Sequence, residues 1–284
     1  MWKLRDWVLE AECRYVAMES TGIYWQPIYE MLEPCFDGQI SILVVNARHM
    51  KNVPGRKTDM RDAQWIATLL RAGLLKGSFI PDKTFRELRH LTRYRKSIVR
   101  DITAQKNRID KFLQSSGFRF TAFLSDAFGA SGRNIIRHLM EYGNISREAL
   151  DRCLKTQTRK RIDEILIALN GSLSEHQRGF LRMIFGHLEA LEQHRHTVED
   201  AITKEITKHE EALSLLCSIP GIDVTAAAAI IAEIGTDMSA FPDSQHICSW
   251  AGLSPGNNES AGKRKSAHIN NCLLYTSPSP RDKR

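Results

Sequence analysis

The spacing of apolar residues changes twice along this chain, and the changes divide it into three stretches. Before residue 80 the apolar positions come in short unbroken runs, Tyr15-Val16-Ala17-Met18 and Ile40 through Val45. Continuous, β-branched runs of that length predict strands buried on both faces. Residues 2–11 read as a helix end, 13–18 as a strand and 22–32 as a helix with Ile23, Ile28 and Met31 on one side. Pro27 is compatible with that helix only near its first turn. Strand 40–45 follows, then a helix over 58–75 carrying Ala63, Ile66, Ala67, Leu69 and Leu70. Strand, helix, strand with short links predicts a parallel α/β sheet. A Gly/Pro break at 77–81 ends the unit.

From Lys83 the intervals become three, four or seven. Leu88, Leu91, Ile98, Ile102, Ile109 and Phe112 mark one long amphipathic helix. Leu181, Ile184, Leu188, Leu191, Val198, Ile202 and Ile206 mark a second, over 177–209. The two predict an antiparallel coiled coil or a dimer seam, interrupted by Arg95, Gln105 and Arg195. Residues 129–173 read as short helices punctuated by Gly and Asn. Beyond Leu213 the pattern is helix, Ile219-Pro220-Gly221-Ile222, then an Ala-rich helix over 225–234. That order fits a helix-hairpin-helix element whose turn amides, at Gly221, approach a phosphate. It equally fits a plain helical hairpin in a core. A short apolar helix over 245–253 holds Trp250.

Composition narrows the class of partner. The chain has 284 residues, 42% hydrophobic and 26% charged, with a mean hydropathy of −0.33, which suits two domains. No apolar run approaches the roughly 18 residues of a membrane helix, and no signal peptide is visible. Six cysteines without a C-x-x-C pair indicate neither zinc site nor disulfide framework and fit a reducing cytoplasm. A net charge of +7 suits a polyanionic partner. From Cys272 onward the chain resembles a translated sequencing adapter, and 272–284 is expected to be an appended tail. Its Arg281, Lys283 and Arg284, against Asp282, account for two of the charges and leave +5.

Three places carry candidate chemistry. Asp59 and Asp62, in Lys57-Thr58-Asp59-Met60-Arg61-Asp62-Ala63, lie three apart and share a helix face. Glu19, in Met18-Glu19-Ser20-Thr21-Gly22, ends a buried strand. An acid at a strand end facing two acids on a helix makes an oxygen-rich seat for a hard divalent cation; the competing reading is a solvated, salt-bridged helix face. Ser260 sits among small residues with Lys263, Arg264 and Lys265 beside it. Cations there stabilise a developing phosphate oxyanion and ease ionisation of the hydroxyl, or else the stretch is a polar loop tracking DNA. Arg93, Arg95, Lys96 and Arg100 form part of a basic stripe on the first long helix, suited to RNA or DNA.

Taken in order, Met18-Glu19-Ser20-Thr21-Gly22, Gly55-Arg56-Lys57-Thr58-Asp59 with Asp62, Ile219-Pro220-Gly221-Ile222, and Trp250-Ala251-Gly252-Leu253 through Asn257-Asn258-Glu259-Ser260-Ala261-Gly262-Lys263 resemble insertion-sequence transposases with a RuvC-like DEDD domain and a C-terminal serine-bearing domain, the bridge-RNA-guided recombinases. The likeness covers nearly all of residues 1–271.

The resemblance implies an α/β plus α fold: a truncated RNase H-like (RuvC-like) domain over 1–82, a helical coiled-coil region over 83–212, and a small mainly helical serine transposase domain over 213–271. It implies that Glu19, Asp59 and Asp62 match the second, third and fourth of four Mg²⁺-binding acids, and that Ser260 matches the nucleophile that forms a phosphoserine link to DNA. It implies DNA and a structured guide RNA as partners, a dimer or tetramer that shares composite sites between subunits, no membrane, and a prokaryotic, nucleoid-associated cytoplasmic location. The family's first acid lies upstream of the Glu, and Asp6 is no substitute for it. A reading frame cut at both ends, and inactive in recombination as it stands, is therefore expected. The rival readings are a RuvC-like metal-dependent nuclease that uses activated water and a non-catalytic nucleic-acid-binding protein.

Overall fold

Two short parallel strands organise the N-terminal unit, Met1–Ile80. The computed structural model describes residues 2–20, 22–35, 40–45, 59–251, 253, 258–260 and 263–266. The side chains of Asp59, Ser260, Lys263, Arg264 and Lys265 lie outside that description, as do residues 55–58 and the tail over 272–284.

Strands β1 (Tyr15–Glu19) and β2 (Ser41–Val45) pair in register, Tyr15 with Ser41 through Glu19 with Val45. Parallel strands need a crossover, and α2 (Trp25–Leu32) supplies it, after α1 (Trp2–Glu10). Pro27 falls in the first turn of α2, where its missing N–H would be unpaired in any residue. Side chains alternate across a sheet, so Val16, Met18 and Ile42 share one face. There they pack with Leu4 and Val8 of α1 and with Ile28 and Leu32 of α2.

Helix α3 (Asp59–Arg71) is shorter than predicted. It stops in a Schellman turn, with Gly73 at φ +68°, the Gly73 N–H on the Leu70 carbonyl and the Leu74 N–H on the Leu69 carbonyl. Its predicted stripe is also trimmed. Ile66, Leu69 and Leu70 are half-buried, whereas Ala63 and Ala67 are exposed. The following segment returns along β2, where the Ser78 N–H donates to the Val44 carbonyl at 2.7 Å.

The second unit, Pro81–Arg284, is built on α4 (Lys83–Ser115) and α9 (Glu175–Ile206). They run antiparallel: Arg95 meets Glu199, Gln105 meets Ile184, and the Phe112 ring meets Phe180 at 5.1 Å. Leu88, Ile98, Ile102, Ile109 and Leu113 are buried against Leu181, Ile184, Leu188, Val198, Ile202 and Ile206. A capping box, Ser174 with Gln177, fixes where α9 begins. The residues that interrupt the stripes form polar layers within the seam. Glu199 accepts from Arg95 at 2.8 Å and lies 3.7 Å from Arg195. Gln105, 2% exposed, donates to the Ile184 carbonyl at 2.6 Å and accepts from Arg108.

Between the long helices lie α5 (Ala130–Tyr142), α6 (Arg147–Cys153), α7 (Thr156–Arg159) and α8 (Ile162–Ile167). Arg133–Glu192 at 2.7 Å and Arg137–Glu189 at 2.8 Å tie α5 to α9. After α9 come α10 (Glu210–Cys217), α11 (Val224–Ile234) and α12 (Ser244–Trp250). Residues 258–266 were expected to be loop. They form an antiparallel hairpin instead, β3 (Asn258–Ser260) with β4 (Lys263–Ser266).

Helix α11 is clamped onto the start of α4. Its one acid, Glu233, is 5% exposed and accepts from Arg93 at 2.9 and 3.0 Å, with Arg89 at 3.0 Å. Arg89 also donates to the Glu233 carbonyl at 2.7 Å, satisfying one of the helix's terminal acceptors. Gly235, at φ +72°, then ends α11 where an added Cβ would lie 3.4 Å from the Phe85 ring. Glu233→Ala leaves Arg89 buried without its carboxylate. The expected loss is about 3 kcal/mol of unfolding free energy in urea titration. Arg93→Ala, at a side chain 45% exposed, should cost about 1 kcal/mol or less.

Candidate active site

Strand alternation fixes which way Glu19 faces. Tyr15, Ala17 and Glu19 project from the face of β1 opposite Val16 and Met18, as do Ser41, Leu43 and Val45 on β2. Leu70, Arg71 and Gly73, at the end of α3, line a cleft with Tyr15, Ser41 and Leu43. The end of helix α3 therefore lies over the Glu19 face, with its last turn where the strands begin. Thirteen helical residues span about 20 Å, ample to cross five-residue strands that rise about 3.3 Å per residue.

Asp62 precedes Ile66 and Leu69 by four and seven residues, so it extends the stripe that packs on the sheet. Asp59 opens the helix one turn earlier. Asp62 is exposed and Glu19 is half-buried. Glu19 and Asp62 thus belong to the facing sides of β1 and α3. Among the described residues, no group of three His, Cys, Asp or Glu side chains stands ready for a metal. The Asp59 carboxylate lies outside them.

Ser260 ends β3, in register with Lys263 of β4, so two residues separate the predicted nucleophile from the first predicted cation along the chain. Arg264 pairs across with Glu259, and Lys265 follows within β4. Pairing restricts this backbone far more than a free loop would, which matters for a nucleophile that must meet a phosphate in line.

The helix-hairpin-helix reading is altered at its phosphate end. The turn forms as expected, with Gly221 at φ +90° and the Ile222 N–H on the Ile219 carbonyl. Asp223 then caps α11, accepting from the Ala226 N–H at 2.7 Å. An amide that a phosphate would use already serves a carboxylate, which would also repel the phosphate.

The predicted basic stripe divides in two. Arg93 is held by Glu233, and Arg95 by Glu199. Lys96 and Arg100 have no acidic partner among the described residues. Burial of its stem, and then the nearby Arg100, hold the Lys96 ammonium below its ordinary pKa. Charge counting misses this division, because the partners sit some 100 to 140 residues away. One signal was legible: Glu233, a single acid near the end of an Ala-rich apolar helix, demands a buried cation.

Comparison with known proteins now adds to the geometry. Residues 3–117 match a family model for DEDD-type IS110 transposases, described as "Transposase". Residues 213–272 match a second, described as "Transposase IS116/IS110/IS902 family". In both stretches the chain is similar to IS110-family transposases. It is 28% identical over 222 residues to "Insertion element IS110 uncharacterized 43.6 kDa protein" of Streptomyces coelicolor. That alignment takes in 71% of this chain and 53% of the relative, so the chain spans about half the length of the curated relative it matches. The first family match contains Glu19, α3 and α4, and the second contains α11, Asp223 and the Ser260 hairpin. DEDD-type domains of this family generally work with a divalent metal.

Two expectations follow from the charge pairing. Arg100→Glu should weaken nucleic-acid binding several-fold and lower its log–log salt slope by about one, while Arg95→Ala should mainly lower the thermal midpoint. Asp223→Ala should cost about 1 kcal/mol through the lost cap. Fluorescence anisotropy with labelled DNA and thermal melting read both.

Proposed function

We propose that this chain is the core of an insertion-element transposase that cuts and rejoins DNA through a serine nucleophile. The observation that carries the reading is the crossing of α3 over the Glu19 face, inside a stretch that matches the DEDD-type family. The donor set suits a hard divalent cation, since carboxylate oxygens are the ligands Mg²⁺ prefers. Glu19, Asp59 and Asp62 are the residues that would hold Mg²⁺, and when bound it supplies Lewis acidity to a scissile phosphate.

The rest of the chemistry belongs to the chain. Ser260 Oγ attacks a backbone phosphorus, forming an Oγ–P bond as the P–O3′ bond breaks, and the seryl proton ends on the departing 3′-oxygen. A covalent phosphoserine and a free 3′-hydroxyl result, so the energy of the phosphodiester is kept for rejoining. Lys263, Arg264 and Lys265, on the strand paired with that of Ser260, neutralise the charge that grows on the phosphate. Lys96 and Arg100, which have no acidic partner among the described residues, contact nucleic-acid backbone. A structured RNA from the element guides the choice of donor and target DNA, and a homo-dimer or tetramer brings the acids of one subunit to the serine of another. No helix among the described residues is long and apolar enough to cross a membrane, and the proposed place of action is the prokaryotic nucleoid.

Ser260→Ala, introduced into the element's full reading frame, is expected to abolish the covalent protein–DNA adduct seen on denaturing gels while leaving RNA binding intact. An adduct that persists would transfer the attack to water or another residue and leave a RuvC-like nuclease. Asp62→Asn should lower metal-dependent cleavage roughly 10²-fold. Unchanged cleavage would reduce the protein to a nucleic-acid binder.

A further inference from the structure

The helical lobe between α4 and α9, which neither family match reaches, contains an open cleft of about 540 Å³. Its walls are the segment around Phe123 to Ala130, Ser131 at the start of α5, and the run from Lys155 to Thr158 with Arg161. We propose that this cleft binds a segment of single-stranded nucleic acid, one that the transposase reading above requires the protein to handle. The inference rests on that reading for the ligand class and on this lobe alone for the site.

The cleft's charge is available. Arg159 is spent on Asp151 at 2.9 Å, and Arg147 on Asp163. Lys155 has no acidic partner among the described residues. Its backbone is nevertheless fixed, because its N–H donates to Ser131 Oγ at 3.0 Å and Ser131 is 9% exposed. An anchored main chain with an unpaired ammonium is what a backbone phosphate needs. Ser125, Thr156 and Thr158 add hydroxyl donors around it. The lining's one acid, Asp126, is engaged locally, accepting from the Phe128 N–H at 2.9 Å.

Another part of the lining suits a base. Arg161 is held by Glu164 at 3.0 and 2.7 Å and by the Phe123 carbonyl at 3.3 Å, with its guanidinium carbon 5.6 Å from the centroid of the Phe123 ring. A cation locked beside an aromatic ring, in a cleft also lined by a lysine without an acidic partner among the described residues, combines the two elements of single-strand recognition: a stacking surface and a cationic track for the backbone. The volume is that of a small-ligand site, which admits a splayed nucleotide.

The test measures binding of the whole chain to a short fluorescent single strand, made as RNA and as DNA, and to the matching duplex, across a salt series. Lys155→Glu is expected to weaken single-strand binding about tenfold and to lower the salt slope by about one. Lys155→Arg should retain binding, and duplex binding should be unmoved. Preference for RNA or for DNA identifies which strand the cleft serves, and either supports it. If Lys155→Glu melts early, Lys155→Gln gives the same reading without a reversed charge. Unchanged affinity and slope, with the unaltered chain still binding the strand, overturn the cleft and leave the transposase reading standing. Equal loss of strand and duplex binding overturns the single-strand assignment. A chain that binds no nucleic acid at all overturns both proposals together.

Discussion

The seam between α4 and α9 is the constraint on which the larger unit depends. It is apolar at both ends and polar at measured points within. Arg95, Glu199 and Arg195 make one polar layer, and Gln105 with the Ile184 carbonyl makes another. Apolar seams of this length slide easily, because one heptad resembles the next. A buried glutamine that finds its carbonyl at one register and loses it at every other makes sliding costly. Everything hung on the pair then inherits a fixed position. Helix α5 is tied to α9 by arginine–glutamate pairs, and α11 is tied to α4 by Glu233. The candidate serine follows α11 and α12 in the chain, so its hairpin leaves from a platform set by that clamp.

The acid face follows a different rule. No long-range salt bridge is needed to orient Glu19. The parallel register and the two-residue period of β1 turn it toward the face opposite the α1 and α2 packing. Helix α3 then arrives on that face because its own stripe of Ile66, Leu69 and Leu70 is apolar. Asp62 takes the direction of that stripe one turn further. Glu19 and Asp62 are thus carried on facing surfaces by the hydrophobic packing behind them, and Asp62 stays exposed. An exposed Asp62 is compatible with a site that admits a nucleic-acid strand from solvent.

Much of this was legible in the sequence, for stated reasons. Runs and periods respond to burial, and burial decides where elements form. The two strands, the crossover helix, both long helices and the Pro-Gly turn accordingly emerged close to their observed bounds. What escaped were features set by neighbours distant in sequence. Helix α3 ends four residues before its apolar pattern does, because Leu74 and Leu75 continue the stripe where Gly73 has already turned the chain. The 258–266 stretch looked like loop because Gly, Asn and Ser dominate it. Its strand pairing is short and interrupted by an irregularity at Asn258/Glu259, too brief to leave a period.

Charge was the least legible property. Arg93, Arg95, Lys96 and Arg100 are indistinguishable as letters, and a basic stripe on a helix reads as one surface. In the fold, Arg93 and Arg95 are structural, because each meets an acid from another helix where partial burial strengthens the attraction and fixes the geometry. Lys96 and Arg100 meet no such acid among the described residues, and each repels the other. The same sorting raises Lys155 above its neighbours Arg147 and Arg159, which are paired. A cation bound within the fold has already exchanged water for a carboxylate and gains little from a phosphate. One still waiting in a cleft gains the full interaction. Pairing, more than the net charge of +7, therefore decides which cations on this chain are left for the nucleic acid that the proposed function assigns to it.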